Sequence, residues 1–247
     1  MSEKPFLIVS DTHLGAVPES TERAFRHFLE TEARSASGLL INGDLFDFWF
    51  EYRSVVPRKH YRVVAALANL VEAGVPVWFM GGNHDAWGGD FLEKDVGVTV
   101  LREPTILDLA GRKALVAHGD GVGAGDLGYR ALKRFIRHPL TVGAFRLLHP
   151  DWGSWIAERV STTEEKAIPS DTSNLTRAEP IRAWAREKLL EDPSLQLVVA
   201  GHSHVPELEE VAPGRFYVNS GDWVRHRTYV VLDPDGSPPH LRSWSTD

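Results

Sequence analysis

The chain has 247 residues, 43% of them apolar, no cysteine and a formal net charge of −7. This length suits one large domain or a domain with an insertion, and the absent cysteines exclude disulfides, thiolate metal sites and cysteine nucleophiles together. No apolar run approaches the ~18 residues of a membrane span, and the negative balance argues against broad nucleic-acid binding.

The N-terminus enters a strand at Phe6 with no basic leader, so a cytoplasmic location is expected. Strands are predicted near 5–10, 38–42, 75–80 and 113–117, alternating with helices near 20–35 and 58–73. The second helix carries Val63, Val64, Leu67, Leu70 and Val71 at helical spacing. From about 122 to 176 the rhythm breaks: no strand signal occurs, and between Tyr129 and Val160 six Arg or Lys stand against two acids. This segment reads as a mainly helical insertion lying over the strand ends, its charge suited to an anionic substrate or lipid surface. A helix at 177–191, closed by Pro193, precedes three strand-like runs, LQLVVA, RFYVN and TYVVLD. Strands that alternate with helices and also cluster late predict an α/β sandwich with mixed sheets, in a single domain over residues 1–247.

Five apolar runs each stop at a polar cluster. FLIVS meets Asp11-Thr12-His13, GLLIN meets Gly43-Asp44 and then Asp47, and VPVWFM meets Gly82-Asn83-His84-Asp85. ALVA meets His118-Gly119-Asp120, and LQLVVA meets Gly201-His202-Ser203-His204. Asp, Asn and His offer hard oxygen and borderline imidazole donors, suited to Mn, Fe or Zn rather than to Ca. Two such ions about 3.5–4 Å apart can clamp a phosphoryl group for in-line attack by water. Each cluster alone has a plainer reading. Asp-x-His after a strand serves as a turn and cap, Asp44 and Asp47 can cap a helix, and Asn83 suits a turn. Those plainer readings are independent, and all five must hold at once for a shared site to be absent. Elsewhere, His27, His60 and His240 lack a partner pattern and read as surface histidines. Gly121, Gly123, Gly125 and Gly128 lack the ending of a phosphate loop and read as a hinge. Trp49, Phe50 and Tyr52 read either as core or as the wall of an acyl or base pocket.

D-x-H, G-D-x-x-D, G-N-H-D, a lone His and G-H-x-H, in this order, resemble the calcineurin-like metallophosphoesterase superfamily over roughly residues 5–120 and 195–225. The resemblance implies a four-layer α/β/β/α sandwich with a dinuclear centre in loops at one end. It gives one metal Asp11, His13, Asp44 and His204, and the second Asp44, Asn83, His118 and His202, with Asp44 shared. It makes His84 a non-ligand that binds the substrate phosphate or protonates the leaving oxygen, with Asp47 orienting it.

A narrower likeness lies in GDLFDFWFEY, GNHDAW, HGDG, GDLGYRALKRFIRHPL and LHPDWG, which resemble the UDP-2,3-diacylglucosamine diphosphatases of lipid A synthesis. That resemblance implies cleavage of a lipid-sugar nucleotide to UMP, two divalent ions with Mn2+ foremost, a helical lid, and peripheral contact with the cytoplasmic face of the inner membrane. His84 stands where one branch of those enzymes has Arg. Asn83 and His84, with Arg130, Lys133, Arg134 and Arg137 of the insertion, are the candidate substrate contacts. A phosphodiesterase or phosphatase with a soluble nucleotide or phosphoprotein substrate is the rival expectation, and a metal-poor binding scaffold is a third.

Overall fold

A computed structural model describes residues 4–85, 89–122, 138–153, 155–156 and 171–245. The six-stranded sheet contains β1 (Phe6–Val9), β2 (Gly38–Asn42), β3 (Val77–Met80), β4 (Thr99–Leu101), β10 (Thr228–Leu232) and β11 (His240–Ser243). Its order is β11-β10-β1-β2-β3-β4. β1 through β4 run parallel, while β10 lies antiparallel to both β1 and β11. The five-stranded sheet contains β5 (Thr105–Leu109), β6 (Arg112–Val116), β7 (Leu197–Ala200), β8 (Pro206–Ala212) and β9 (Arg215–Ser220), in the order β5-β6-β7-β9-β8. There β6, β7 and β9 are parallel, with antiparallel β5 and β8 at the two edges.

Three apolar layers explain why the central strands read as unbroken hydrophobic runs. Along β1, Leu7 and Val9 face a helix layer containing Phe25, Phe28, Leu67 and Leu70, while Phe6 and Ile8 face the opposite sheet. Between the sheets, Phe6, Ile8 and Val230 meet Val116, Val199 and Val218. Behind the second sheet, Val198 and Tyr217 pack on Ile181, Ala185 and Leu189. Strands covered on both faces cannot alternate apolar with polar residues, because neither side meets water. The result is helix, sheet, sheet, helix: the four-layer mixed α/β sandwich expected.

Helix α1 (Glu19–Glu30) buries Thr21, Ala24, Phe25, Phe28 and Leu29, a single stripe at helical spacing, and carries Glu19 and Glu22 where the N-terminal dipole favours acids. It ends at Glu30, and a separate 3-10 turn at Ala33–Ser35 accounts for the rest of the predicted helix. Helix α2 (Tyr61–Glu72) buries Val63, Ala66, Leu67 and Leu70, and follows a 3-10 turn at Arg58–His60. The short α3 (Phe91–Lys94) precedes β4. α4 (Pro139–Phe145) lies in the predicted insertion, and α5 (Asp171–Glu191) begins earlier than expected. No helix among the described residues is long and apolar enough to cross a membrane.

His60 corrects an expectation. It is 3% exposed, packed on Phe46 with ring centroids 4.5 Å apart, and its Nδ1 has no hydrogen-bond partner among the described residues. Burial, aided by the neighbouring Lys59 charge, lowers its pKa to about 4, so it is a neutral core histidine.

Candidate metal centre

The seven candidate ligands follow the C-terminal ends of five parallel strands. Asp11 and His13 follow β1, Asp44 follows β2, Asn83 follows β3, His118 follows β6, and His202 and His204 follow β7. β1 to β3 belong to one sheet and β6 and β7 to the other, so the group straddles the seam between sheets. The seam is stitched there: Asn42 Nδ2 donates to the Ala117 carbonyl (2.9 Å) and His118 Nδ1 to the Asn42 carbonyl (2.8 Å).

The backbone at these positions is unusual. Among the described residues, seven non-glycine residues have positive φ, and Asp11, His13, Asp44, His202 and His204 are five of them. A left-handed backbone costs a side chain on the order of 1–3 kcal/mol and clusters where function over-determines geometry. Close approach adds a second constraint. A Cβ on Gly43 would overlap the His118 ring, and one on Gly82 would overlap the Asp44 carboxylate.

The side chains form three linked groups: Asp11–His13–His204, His13–Asp44–His84 and Asp44–His118–His202, each with its donor atoms within 4.8 Å of one another. His13 Nε2 stands 3.3 Å from His204 Nε2 and 3.8 Å from Asp44 Oδ2. His204 Nε2 lies 3.6 Å from Asp11 Oδ1, and His118 Nε2 lies 3.2 Å from Asp44 Oδ2. His13 and Asp44 are each common to two of these groups and so link all three. Main-chain donors hold the carboxylates: His202 N–H reaches both oxygens of Asp11 (3.1 and 3.0 Å), and His84 N–H reaches Asp44 Oδ1 (3.0 Å).

Electrostatics mark where positive charge belongs. Burial pushes His13 well below the usual imidazole range and, helped by the His118 charge, takes His202 to about 3. Burial opposes charge at His118 and His204 too, but Asp44 and Asp11 outweigh it at His118, and Asp11 and Asp222 outweigh it at His204, so both are raised. Burial also opposes the Asp44 carboxylate, yet His118 and His84 hold it well below the usual carboxylate range. Buried carboxylates that favour positive charge on neighbouring imidazoles make a site suited to a cation.

The donor set fits divalent ions. His118 and His204 each commit Nδ1 to a carbonyl or carboxylate, leaving Nε2 to present a lone pair toward the group. Asn83 Oδ1 and His202 Nδ1 are buried without a hydrogen-bond partner among the described residues, an expense that a coordinated ion removes. Oxygen and imidazole donors with no sulfur match a borderline or hard divalent metal.

His84 lies against Asp47. Its Nδ1 donates to the main-chain carbonyl of Asp47 (2.8 Å), while the Asp47 carboxylate stands 3.6 Å from that nitrogen and 3.9 Å from His13 Nδ1. Arg130, Lys133, Arg134 and Arg137 lie outside the described residues, as does the glycine run beyond Gly121.

Two carboxylates escaped the sequence reading. Asp85, 2% exposed, accepts the N–H groups of Leu45 and Gly82, both at 2.7 Å, so it joins the loops after β2 and β3. Burial, reinforced by Asp44, raises it to about 7. It ends the G-N-H-D motif, a signal that was present but unassigned. Asp222, 1% exposed, accepts from His204 Nδ1 at 3.2 Å. Its place after β9 offered no comparable pattern.

A cavity of about 400 Å³ opens beside Asp47, walled by Phe48, Phe50, Tyr52 and Phe145, with Lys59 at its margin. Phe50 packs on Phe145 of α4 at 4.5 Å between centroids. Phe50 and Tyr52 thus line a cavity, although Phe50 is itself buried. Trp49 follows the core reading: it is fully buried, stacks on Phe46 at 4.6 Å, and donates Nε1 to Glu51 at 2.9 Å.

Comparison with known proteins agrees with this geometry. The chain is 31% identical to a UDP-2,3-diacylglucosamine hydrolase of Porphyromonas gingivalis, over 91% of this chain and 92% of that one. It is 30% identical to another protein of that name from Ectopseudomonas mendocina, over 93% and 95%. Among solved structures it is similar to Vacuolar Protein Sorting 29 of Cryptosporidium parvum, at 14% identity and a TM-score of 0.45 over 98% of each chain. The calcineurin-like phosphoesterase family model matches residues 4–206, and with the clustered Asp and His side chains this establishes the chain as a hydrolase belonging to that family.

Proposed function

We propose that this chain hydrolyses the pyrophosphate of UDP-2,3-diacylglucosamine, or a closely similar lipid-linked sugar nucleotide, releasing UMP and the lipid sugar phosphate. The convergence of Asp11, His13, Asp44, His118, His202 and His204 from both sheets carries the reading, and relatives of about that activity's name at 30% and 31% identity direct it to this substrate. In this reading Asp11, His13, Asp44 and His204 hold one ion and Asp44, Asn83, His118 and His202 the other, with Mn2+ the favoured metal.

The two ions would supply Lewis acidity at phosphorus and favour formation of the nucleophile from water. The chain supplies the rest. Asn83 and His84 meet the phosphoryl oxygens at the mouth of the group. With its Nδ1–H given to the Asp47 carbonyl, His84 keeps Nε2 for proton exchange with the leaving oxygen. The aromatic cavity beside Asp47 takes an apolar part of the substrate and excludes water from it.

The insertion adds a surface. Leu147 is 88% exposed and Trp152 70%, with Leu140 and Trp155 also exposed, and the basic residues Arg130, Lys133, Arg134 and Arg137 lie in the same segment. Exposed apolar and aromatic side chains in a segment whose sequence is rich in cations suit peripheral contact with an anionic membrane on the cytoplasmic face. UMP release from UDP-2,3-diacylglucosamine with Mn2+, against the same assay with a soluble UDP-sugar, tests the proposal. Equal turnover of both would assign the enzyme to soluble nucleotides and defeat the lipid reading.

A further inference from the structure

The imidazoles of the candidate centre are held by different kinds of partner. His118 gives its outer nitrogen to a main-chain carbonyl, and His84 does the same. His204 alone among these three gives Nδ1 to a carboxylate, Asp222 Oδ2 at 3.2 Å. The two oxygens of Asp222 divide their work. Oδ1 accepts from Arg225 N–H (2.9 Å), His226 N–H (3.0 Å) and His226 Nδ1 (3.1 Å), which fixes the loop after β9. Oδ2 faces His204. The loop itself is anchored on both sides: Trp223 N–H donates to the Asp11 carbonyl (3.2 Å), and the Trp223 ring is fully buried against Phe25 and Phe28.

We infer that Asp222 is a positioning residue that sets the tautomer and basicity of His204 and so strengthens one of the two metal positions, the one built on Asp11, His13, Asp44 and His204. A carboxylate behind an imidazole fixes the ring with Nε2 presenting its lone pair, and raises its basicity as a ligand. The inference rests on the metal reading above. A plainer role, loop capping, belongs to Oδ1 and is separable from the role of Oδ2.

Asp222→Asn separates them. The three donors to Oδ1 select the amide oxygen for that side, which turns the amide NH2 toward His204 Nδ1, where two donors cannot pair. Titration of the chelator-stripped full chain with Mn2+, read by calorimetry, gives two equivalents in the unaltered protein. In Asp222→Asn one equivalent weakens by roughly 10–100-fold while the other keeps its affinity. Nitrogen NMR of the metal-free protein, at a pH where the imidazoles are neutral, shows His204 moving from the Nδ1–H to the Nε2–H tautomer. Unchanged affinity for both equivalents in Asp222→Asn and Asp222→Ala overturns the inference. So does equal weakening of both together with a lower melting temperature of the metal-free protein, which is the result of a capping role alone. Failure of the unaltered chain to bind Mn2+ defeats the metal reading itself, a result distinct from either.

Discussion

Acidification should weaken the metal-free protein through His60, and replacing that ring with Phe should remove a defined part of the weakening. An imidazole in the unfolded chain titrates near 6.5, whereas burial against Phe46 and Trp49, with Lys59 beside it, lowers the folded value to about 4. Between those values the unfolded chain binds a proton that the folded chain refuses. Stability is therefore whole above the unfolded value and lost as pH falls through the folded one. At about 1.36 kcal/mol per pH unit of separation, the gap from 6.5 to about 4 amounts to roughly 3.4 kcal/mol. Integrating over the accessible range, about 2 kcal/mol of it disappears between pH 7 and pH 5. Urea unfolding of the metal-free protein and of His60→Phe at both pH values measures the difference between their pH slopes, so the absolute stability of the variant drops out. Parallel slopes for the two proteins would refute the reasoning, because a buried, unpartnered imidazole cannot leave the pH profile untouched.

Four further outcomes follow from the centre. Asp44→Ala, which removes the carboxylate proposed to be shared, should abolish both metal binding and turnover by elemental analysis and phosphodiester assay. His84→Ala should instead keep its metal content and lose about 10²–10⁴-fold in rate; metal loss in that variant would make His84 a ligand. Gly82→Ala changes no chemical group, yet its methyl would press on the Asp44 carboxylate and main-chain nitrogen. Overpacking of roughly 1–3 kcal/mol, drawn from metal binding at 1.4 kcal/mol per tenfold, should cost about 5–150-fold in Mn2+ affinity with the far-ultraviolet dichroism unchanged. Chelation should lower the melting temperature, since ions at 100 times their dissociation constant contribute about 2.7 kcal/mol, and scanning calorimetry with and without chelator reads it directly.

Sequence reading located the interior strands and missed the edges. β1, β2, β3, β6, β7, β9 and β10 all appear near their expected positions, because a strand buried on both faces is an uninterrupted apolar run. The four unforeseen strands, β4, β5, β8 and β11, are the four outer strands of the two sheets. Edge strands meet water and carry charges that guard against further pairing. β8 is the clearest case: Glu207 and Glu209 conceal its pattern, and their purpose emerges only when Arg182 and Arg186 of α5 arrive to pair with them. The candidate site was legible for a related reason. Each of its residues ends an apolar run, so strand and donor announce one another. The left-handed backbone at Asp11, His13, Asp44, His202 and His204 left no mark in those residue types, because Asp and His enter that region with less resistance than most. Asp222 stayed hidden because its partner His204 is 18 positions away in the chain and only folding brings them together.

The seam between the sheets has a mechanical implication. Apolar contacts such as Ile8 and Val230 against Val199 and Val218 resist separation but are nearly indifferent to small sliding, since dispersion forces have no direction. Donors contributed by both halves are not indifferent. A cation gripped from the two sides works like a rivet at one end of a pair of plates, so the coordination geometry and the alignment of the plates become a single degree of freedom. Amide exchange should consequently slow at the strand tips when the ions bind, fading toward the opposite end of the sandwich.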